Sequence, residues 1–363
     1  MKVRAPLWPK LTLALGVLLV LASGAGLAGS RALISNAASA VTQTNLLGTT
    51  KKTVAEGGGD ELKGPIDLLL MGVDARKRWA VDDLHADTII ILHIPATHDH
   101  AYLVSIPRDT DVQVPPFAKS RYPGGRAKAT EAFFHGAQNG AGWAGGAQLM
   151  AQTLKAATGV SFDGAAIIDF NGFKGVIEAL GGVRMCVDQR VTSHHMVWVG
   201  SKPMYLAEAR RTGRATRPVV YPVGCRAMAG WQALDYARQR YGLRNGDYDR
   251  QRHQQQLIKA MARKAGSSGV LTNPLKINRL IKAAGKAFVL DTGGVPIADF
   301  VFTLKGVTAN DLVLLRTNNG TFAGNAAGRE TITPLSKEMF AAVRQDRLAA
   351  FVLEHPGVVA KGM

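Results

Sequence analysis

Ile66-Asp67-Leu68-Leu69-Leu70-Met71-Gly72-Val73-Asp74 is a compact apolar run that closes on a glycine, a valine and an acid. Its length is that of a buried strand. Two β-branched runs follow at 88–94 and 101–106, separated by a His/Asp/Thr turn, which is the pattern of a hairpin. Outward from these three, residues 146–157 have helical spacing and 167–170 read as a strand. A short helix over 173–180 is closed by Gly181-Gly182, and Val183–Val187 is a further strand. Helices are predicted at 231–241 and 248–265, broken at Asn245-Gly246-Asp247. Then come helices near 275–287 and 297–304, a strand at 311–315 and a helical segment over 334–353. Strands mixed with helices, and at least one hairpin, predict an α/β protein of three layers, α/β/α, with a central mixed sheet. No shift of composition splits residues 63–353, so they are read as one domain, followed by a tail at 354–363.

Residues 11–30 carry no charge and are rich in Leu, Val and Ala. As a helix this run is about 30 Å long, the thickness of a bilayer's hydrocarbon core. Lys2, Arg4 and Lys10 precede it, so the positive-inside rule keeps a tail at 1–10 cytoplasmic and sends the rest out. The expectation is a single-pass transmembrane anchor at 11–31, a small, polar, Gly-containing linker at 32–62 and an extracytoplasmic domain. A cleaved signal peptide is the competing reading, with Ala38-Ser39-Ala40 as its site. Either way the domain is exported.

Export decides what the formal charge of +17 means. So basic a chain seeks anionic partners, but no helix-turn-helix, zinc or aromatic-basic motif is present, and nucleic acid is excluded as the partner. Acidic lipid or a phosphate-rich polymer remains. Cys186 and Cys225 fit an oxidising compartment, and a disulfide between them is expected to stabilise by about 4 kcal/mol. Neither has a neighbouring histidine, so no catalytic role is assigned.

Polar residues gather at the ends of apolar elements. Asp74 and Arg76 follow the first strand, and ligand sites in α/β sheets lie at strand carboxyl ends. Asp87 precedes the run 88–94. If the two strands are antiparallel neighbours, Asp74 and Asp87 stand side by side and call for a cation. Mg2+, which takes one or two carboxylates plus phosphate oxygens, suits them; the alternative is a pair of aspartates capping turns. Arg108 projects from a strand tip in Ser105-Ile106-Pro107-Arg108-Asp109-Thr110, or is a surface arginine paired with Asp109. Arg238 and Arg240 end one predicted helix. In the next, Arg250 and Gln254 are four apart and in line with Leu257, Ile258 and Met261. A guanidinium on the core-facing stripe needs an anion or carboxylate as partner. Arginine forks match phosphate oxygens in pairs. Nothing resembles a P-loop or a Gly-x-Ser-x-Gly elbow.

Six motifs, taken in order across roughly residues 65–265, resemble the LytR–CpsA–Psr family of cell-wall enzymes. They are Leu-Leu-Met-Gly-Val-Asp74-Ala-Arg76, Ala-Asp87-Thr88, Ser-Ile-Pro-Arg108-Asp109-Thr110, Gly181-Gly182-Val183, Ala233-Leu234-Asp235-Tyr236-Ala237-Arg238-Gln-Arg240, and Asp247-Tyr-Asp-Arg250 running into Gln254-Gln255. The resemblance implies an α/β/α fold with an apolar channel for a polyprenyl tail. It implies transfer of a glycan phosphate from a polyprenyl-pyrophosphate donor to a peptidoglycan acceptor, with Mg2+. By motif position Asp74 and Asp87 hold the metal, with Asp247 nearby. Arg108, Arg238, Arg240 and Gln254 grip the pyrophosphate, supported by Arg76 and Arg250. Asp87 or Asp109 then orients or deprotonates the acceptor hydroxyl. Two positions depart from the pattern. The usual Lys-x-Asn-Ala-Ala is Lys128-Ala129-Thr130-Glu131-Ala132, and the arginine usually before the paired glutamines is His253. A hydrolase using water as acceptor, or a non-enzymatic regulator or wall binder, are the other readings of these residues.

Overall fold

The computed structural model describes residues 41–50, 62–74, 84–269, 273–285, 288–303 and 306–360. The expected cytoplasmic tail and membrane anchor, and Arg76, lie outside them. Among the described residues no helix is long and apolar enough to cross a membrane.

A seven-stranded mixed sheet forms the centre, in the order Thr42–Gln43, Phe288–Asp291, Gly164–Asp169, Ile66–Val73, Ala86–Ile94, Ala101–Ser105, Leu312–Arg316. Ile66–Val73 runs parallel to Gly164–Asp169 and antiparallel to Ala86–Ile94, which in turn hairpins with Ala101–Ser105 as expected. Side chains alternate across the sheet. Leu69, Met71 and Val73 join the main core with Phe133, Leu149 and Met150, beneath the helices Ala129–Ala137 and Gly142–Thr158. Leu70 and Gly72 face the other way, toward the helices Phe170–Ala179, Gly230–Arg238 and Asp247–Ser267. The sheet is therefore covered on both faces.

Three expectations need correction. Residues 32–62 are not all linker: Thr42–Gln43 pairs with Val289 and Leu290 at the sheet edge, and Leu46 and Leu47 are fully buried. Residues 354–363 are not all tail either. Val358 is buried and the amide of Ala360 donates to the Leu314 carbonyl at 2.8 Å, so apolar burial holds this end against the last strand. The helix read at 231–241 stops at Arg238.

The strand Phe288–Asp291 was not predicted, and two longer stretches also had no predicted elements. Asp111–Val114 and Gly125–Lys128 form a small hairpin that leads into the helix Ala129–Ala137. Between 188 and 229 lies a three-stranded sheet, Lys202–Tyr205, Val191–Val199 and Arg217–Tyr221, with a short helix Leu206–Thr212. Beside it, Val183–Val187 pairs with Gly224–Met228, and Cys186 and Cys225, opposite each other in register, form the expected disulfide.

Candidate active site

The ends of two antiparallel strands create the first half of the site. Gly72 stands opposite Thr88 and Val73 opposite Ala86, so Asp87 has no partner and is the extra residue of a β-bulge. The bulge turns Asp87 out of the ladder. Its carboxylate makes a close ion pair with Arg108, and its freed carbonyl accepts a hydrogen bond from Arg250 at 3.0 Å. Gly72 is required here, because a Cβ would stand 2.9 Å from the Cβ of Thr88. Asp74, one residue beyond its strand, accepts a hydrogen bond from Arg238 at 3.0 Å. The two carboxylates do sit at neighbouring strand ends, and in the structure each is met by an arginine.

The basic half comes from three places. Arg108 follows Pro107 in a tight turn closed by the amide and hydroxyl of Thr110, which both donate to the Pro107 carbonyl at 3.1 and 2.7 Å. Arg238 ends its helix lying over the Phe170 ring, 3.7 Å from the centroid. Gln239 then turns inward, fully buried, and its amide donates to the Asp235 carbonyl and carboxylate, each at 2.8 Å. That inward turn ends the helix and releases Arg240 toward Asp109, 3.6 Å away.

Asp109 thus gathers three cations: Lys128 at 3.0 Å, Arg240 at 3.6 Å and Arg108 at 3.8 Å. Burial alone raises its pKa, but Lys128, Arg108 and Arg240 together outweigh it and hold the carboxyl below its ordinary range. Burial also works against the charge on Arg108, yet Asp87, Asp109 and Asp247 keep that guanidinium above its usual value. Behind them Arg250 is 5% exposed and paired with Asp247 at 2.7 Å. Burial pushes its pKa down, opposed by Asp247 and Asp87. The side chains of Arg108, Asp87, Asp109 and Arg240 remain 23–29% exposed, so the network is open to a ligand.

Next to this network is a cavity of about 260 Å³ between the sheet and the helices. Leu70, Ile90, Ile168, Phe173, Leu257 and Ile258 line it, and Thr88, Asp169, Arg238 and Gln254 are its polar members. Gln254 therefore lies in line with Arg250 and Leu257, as its spacing predicts. Its carboxamide oxygen is buried and makes no hydrogen bond among the described residues. An apolar chamber with a guanidinium and an amide in its wall suits an amphiphile with a charged head.

Of the predicted site residues, Asp74, Asp87, Arg108, Asp109, Arg238, Arg240, Asp247, Arg250 and Gln254 are brought together. Five others were missed as site residues. Lys128, in the departed Lys-x-Asn-Ala-Ala stretch, reaches Asp109, and the amide of Thr130 donates to the Arg108 carbonyl at 2.9 Å. Phe170 carries Arg238. Tyr248 donates a short hydrogen bond to Glu330, which is 4% exposed and has its carboxyl raised to about 7, chiefly by burial. The chain around Glu330 has no pattern that marks it. His253, by contrast, is outside the network: fully buried, it stacks on Tyr236 at 4.4 Å and bonds Asp188 at 3.1 Å. The second departure thus falls on a packing position.

No cluster of three or more His, Cys, Asp or Glu side chains able to hold a metal occurs among the described residues. A Mg2+ ion that arrives with phosphate needs only one or two protein carboxylates. Asp74 and Asp87 provide these at adjacent strand ends. Asp247 stands behind them with one carboxylate oxygen on Arg250 at 2.7 Å and the other accepting from Gln251 at 2.9 Å. The donor set fits such an ion.

In sequence and in fold the chain is similar to known proteins. The LytR_cpsA_psr family model matches residues 32–334. A probable cell wall biosynthesis protein, LcpB of Corynebacterium glutamicum, is 31% identical over 237 residues, covering 62% of this chain and 48% of that one. A polyisoprenyl-teichoic acid–peptidoglycan teichoic acid transferase, TagU of Enterococcus faecalis, is 27% identical over 211 residues, covering 58% of this chain and 57% of its own. The chain spans about half the length of the curated relatives it matches. The crystal structure of protein gbs0355 from Streptococcus agalactiae superposes with a TM-score of 0.58 at 18% identity, over 78% of this chain and 88% of that one.

Proposed function

Since the chain belongs to the LytR–CpsA–Psr family, we propose that it transfers a phosphate-linked glycopolymer from a polyprenyl-pyrophosphate carrier to peptidoglycan. The observation that carries this reading is one juxtaposition. Arg108, Arg238 and Arg240, interleaved with Asp74, Asp87 and Asp109, border an apolar cavity whose wall includes Arg238 and Gln254. A pyrophosphate among the arginines leaves its isoprenoid tail beside apolar walls. The names of relatives such as the teichoic acid transferase TagU point the same way.

In the reaction the acceptor hydroxyl oxygen attacks the phosphorus that bears the glycan. A new P–O bond forms, the bond to the bridging oxygen breaks, and polyprenyl phosphate leaves with the electron pair. Arg108 and Arg240 neutralise the oxygens of that phosphorus, and Arg238 holds the leaving phosphate at the mouth of the cavity. Asp87 or Asp109 accepts the hydroxyl proton. Asp109 is held ionised by its cations, and the bulge aims Asp87 into the same space. Phosphoryl transfer depends mainly on positioning and charge stabilisation, so no histidine base is required. Asp74 and Asp87, with Asp247 close by, would hold a Mg2+ ion, which when bound would further neutralise the pyrophosphate. On this reading residues 11–31 anchor the chain in the cell membrane and the catalytic domain is extracytoplasmic, which the Cys186–Cys225 disulfide favours.

The test is single-turnover transfer from a synthetic lipid-linked donor. Arg108→Ala and Arg240→Ala are each expected to slow it by about 100-fold or more. Unchanged turnover in both defeats the assignment. Label that accumulates in solution, with none on peptidoglycan, assigns the site to a hydrolase.

A further inference from the structure

A second groove, of about 320 Å³, meets the first cavity at Arg238. Leu234 and Arg238, one helical turn apart, line both spaces and so form the partition between them. The chemistry on the two sides differs. The cavity is lined mainly by aliphatic and phenylalanine side chains, whereas the groove presents the polar-tipped rings of Tyr205 and Trp231, with Lys174 and Glu208 as polar neighbours. Tyr205 is 46% exposed, a large ring left in solvent where no core needs it. Trp231 is held edge-on by Trp198, with centroids 5.5 Å apart.

The remaining polar wall of the groove is already satisfied. The Asp235 carboxylate accepts hydrogen bonds from Ser193 at 2.9 Å, Tyr221 at 2.7 Å and Gln239 at 2.8 Å, so it holds the module together and recognises nothing. Among the described residues Lys174 is engaged only in an exposed pair with Glu178 at 3.6 Å, and Glu208 is exposed, which leaves both able to meet hydroxyls. The strand and helix that form this wall, Lys202–Tyr205 and Leu206–Thr212, also carry exposed Lys202, Arg210 and Arg211 against the single acid Glu208.

Aromatic faces attract the C–H face of a pyranose ring, because the π-system is negative there and the C–H groups are positive. Hydrogen-bonding groups at the ring edge take its hydroxyls. An added excess of cations selects a polymer that carries negative charge. A phosphate at Arg238 has the tail cavity on one side and this groove on the other.

We propose that the groove is a saccharide subsite, which seats the first sugar of an anionic glycan on Tyr205 and Trp231 while the pyrophosphate that joins it to the lipid lies at Arg238. The placement of the phosphate rests on the transferase reading above; the ring-binding surface does not. Tyr205 and Glu208 come from the 188–229 module, which the motifs do not reach. The shared chemistry is a hexopyranose, and we assign it to the donor.

The experiment measures binding to the full-length chain in detergent, for wild type, Tyr205→Ala and Glu208→Gln. The probes are farnesyl pyrophosphate, farnesyl-pyrophosphoryl-N-acetylglucosamine and a soluble N-acetylglucosamine–N-acetylmuramic acid disaccharide. Loss of one stacking face is expected to weaken the glycosylated lipid by about 5- to 10-fold and to leave plain farnesyl pyrophosphate unchanged. Glu208→Gln should show a smaller loss with the same selectivity. Equal losses for both lipids, or no loss for either, overturn the proposal. A loss confined to the soluble disaccharide overturns the donor assignment and gives the groove to the acceptor. If wild type binds neither lipid, the transferase reading fails separately. The groove is then judged by tryptophan fluorescence with N-acetylglucosamine 1-phosphate: a response abolished by Tyr205→Ala supports it, and no response in wild type overturns it.

Discussion

Glu330→Gln is expected to change how stability depends on pH. Glu330 is 4% exposed, hydrogen-bonded by Tyr248, and close enough to Asp247 and Asp109 for both to act on its charge. Burial first, and those two carboxylates after it, raise its pKa from 4.5 to about 7. A carboxyl raised on folding binds its proton more tightly in the native state than in the unfolded one. Between 4.5 and about 7 the native state therefore holds more protons, and stability falls as pH rises through that window. At about 1.4 kcal/mol per pH unit the full span amounts to about 3 kcal/mol. Glutamine keeps a hydrogen-bonding group there but does not titrate. The measurement is urea unfolding of wild type and Glu330→Gln at matched pH values from 4.5 to 8, taking the difference so that all other titrations cancel. Wild type should lose about 3 kcal/mol relative to the variant across the range. A difference that stays flat refutes the reasoning, and so does one that grows in favour of wild type.

Two further outcomes follow from burial and chain topology. Arg250→Met should destabilise by about 3–5 kcal/mol, because it strands the Asp247 carboxylate and the Asp87 carbonyl, while Arg126→Ala, at an ion pair whose arginine is 57% exposed, should cost less than about 1 kcal/mol; similar urea midpoints for the two would contradict this account. Replacing both Cys186 and Cys225 by serine should lower stability by about 4 kcal/mol through the freed loop of 39 residues. Because the bridge joins Val183–Val187 to Gly224–Met228, away from Arg108, ligand affinity of the folded variant at 25 °C should match wild type.

The one-dimensional pattern carried the elements whose identity depends on local apolar periodicity: the strand Ile66–Val73, the hairpin after it, and the Arg250–Gln254–Leu257 stripe. It also carried the adjacency of Asp74 and Asp87, because antiparallel pairing of two runs brings one end to the other's start. Tertiary structure alone decided how those charges are neutralised. That Asp87 is a bulge residue depends on a register shift opposite Gly72, and register is a property of two strands, not one. That Arg240 reaches Asp109 depends on Gln239 folding under to Asp235, a contact through which the helix ends early. Glu330 enters the vicinity of the site from 82 residues beyond Tyr248, with no local pattern to announce it. The groove at Tyr205 exists only because a small sheet between 188 and 229 closes against the helix of Arg238. Periodicity is a local signal, readable wherever one face must be buried; charge pairing and cavity shape arise from residues far apart in the chain, and only the packed layers bring those together.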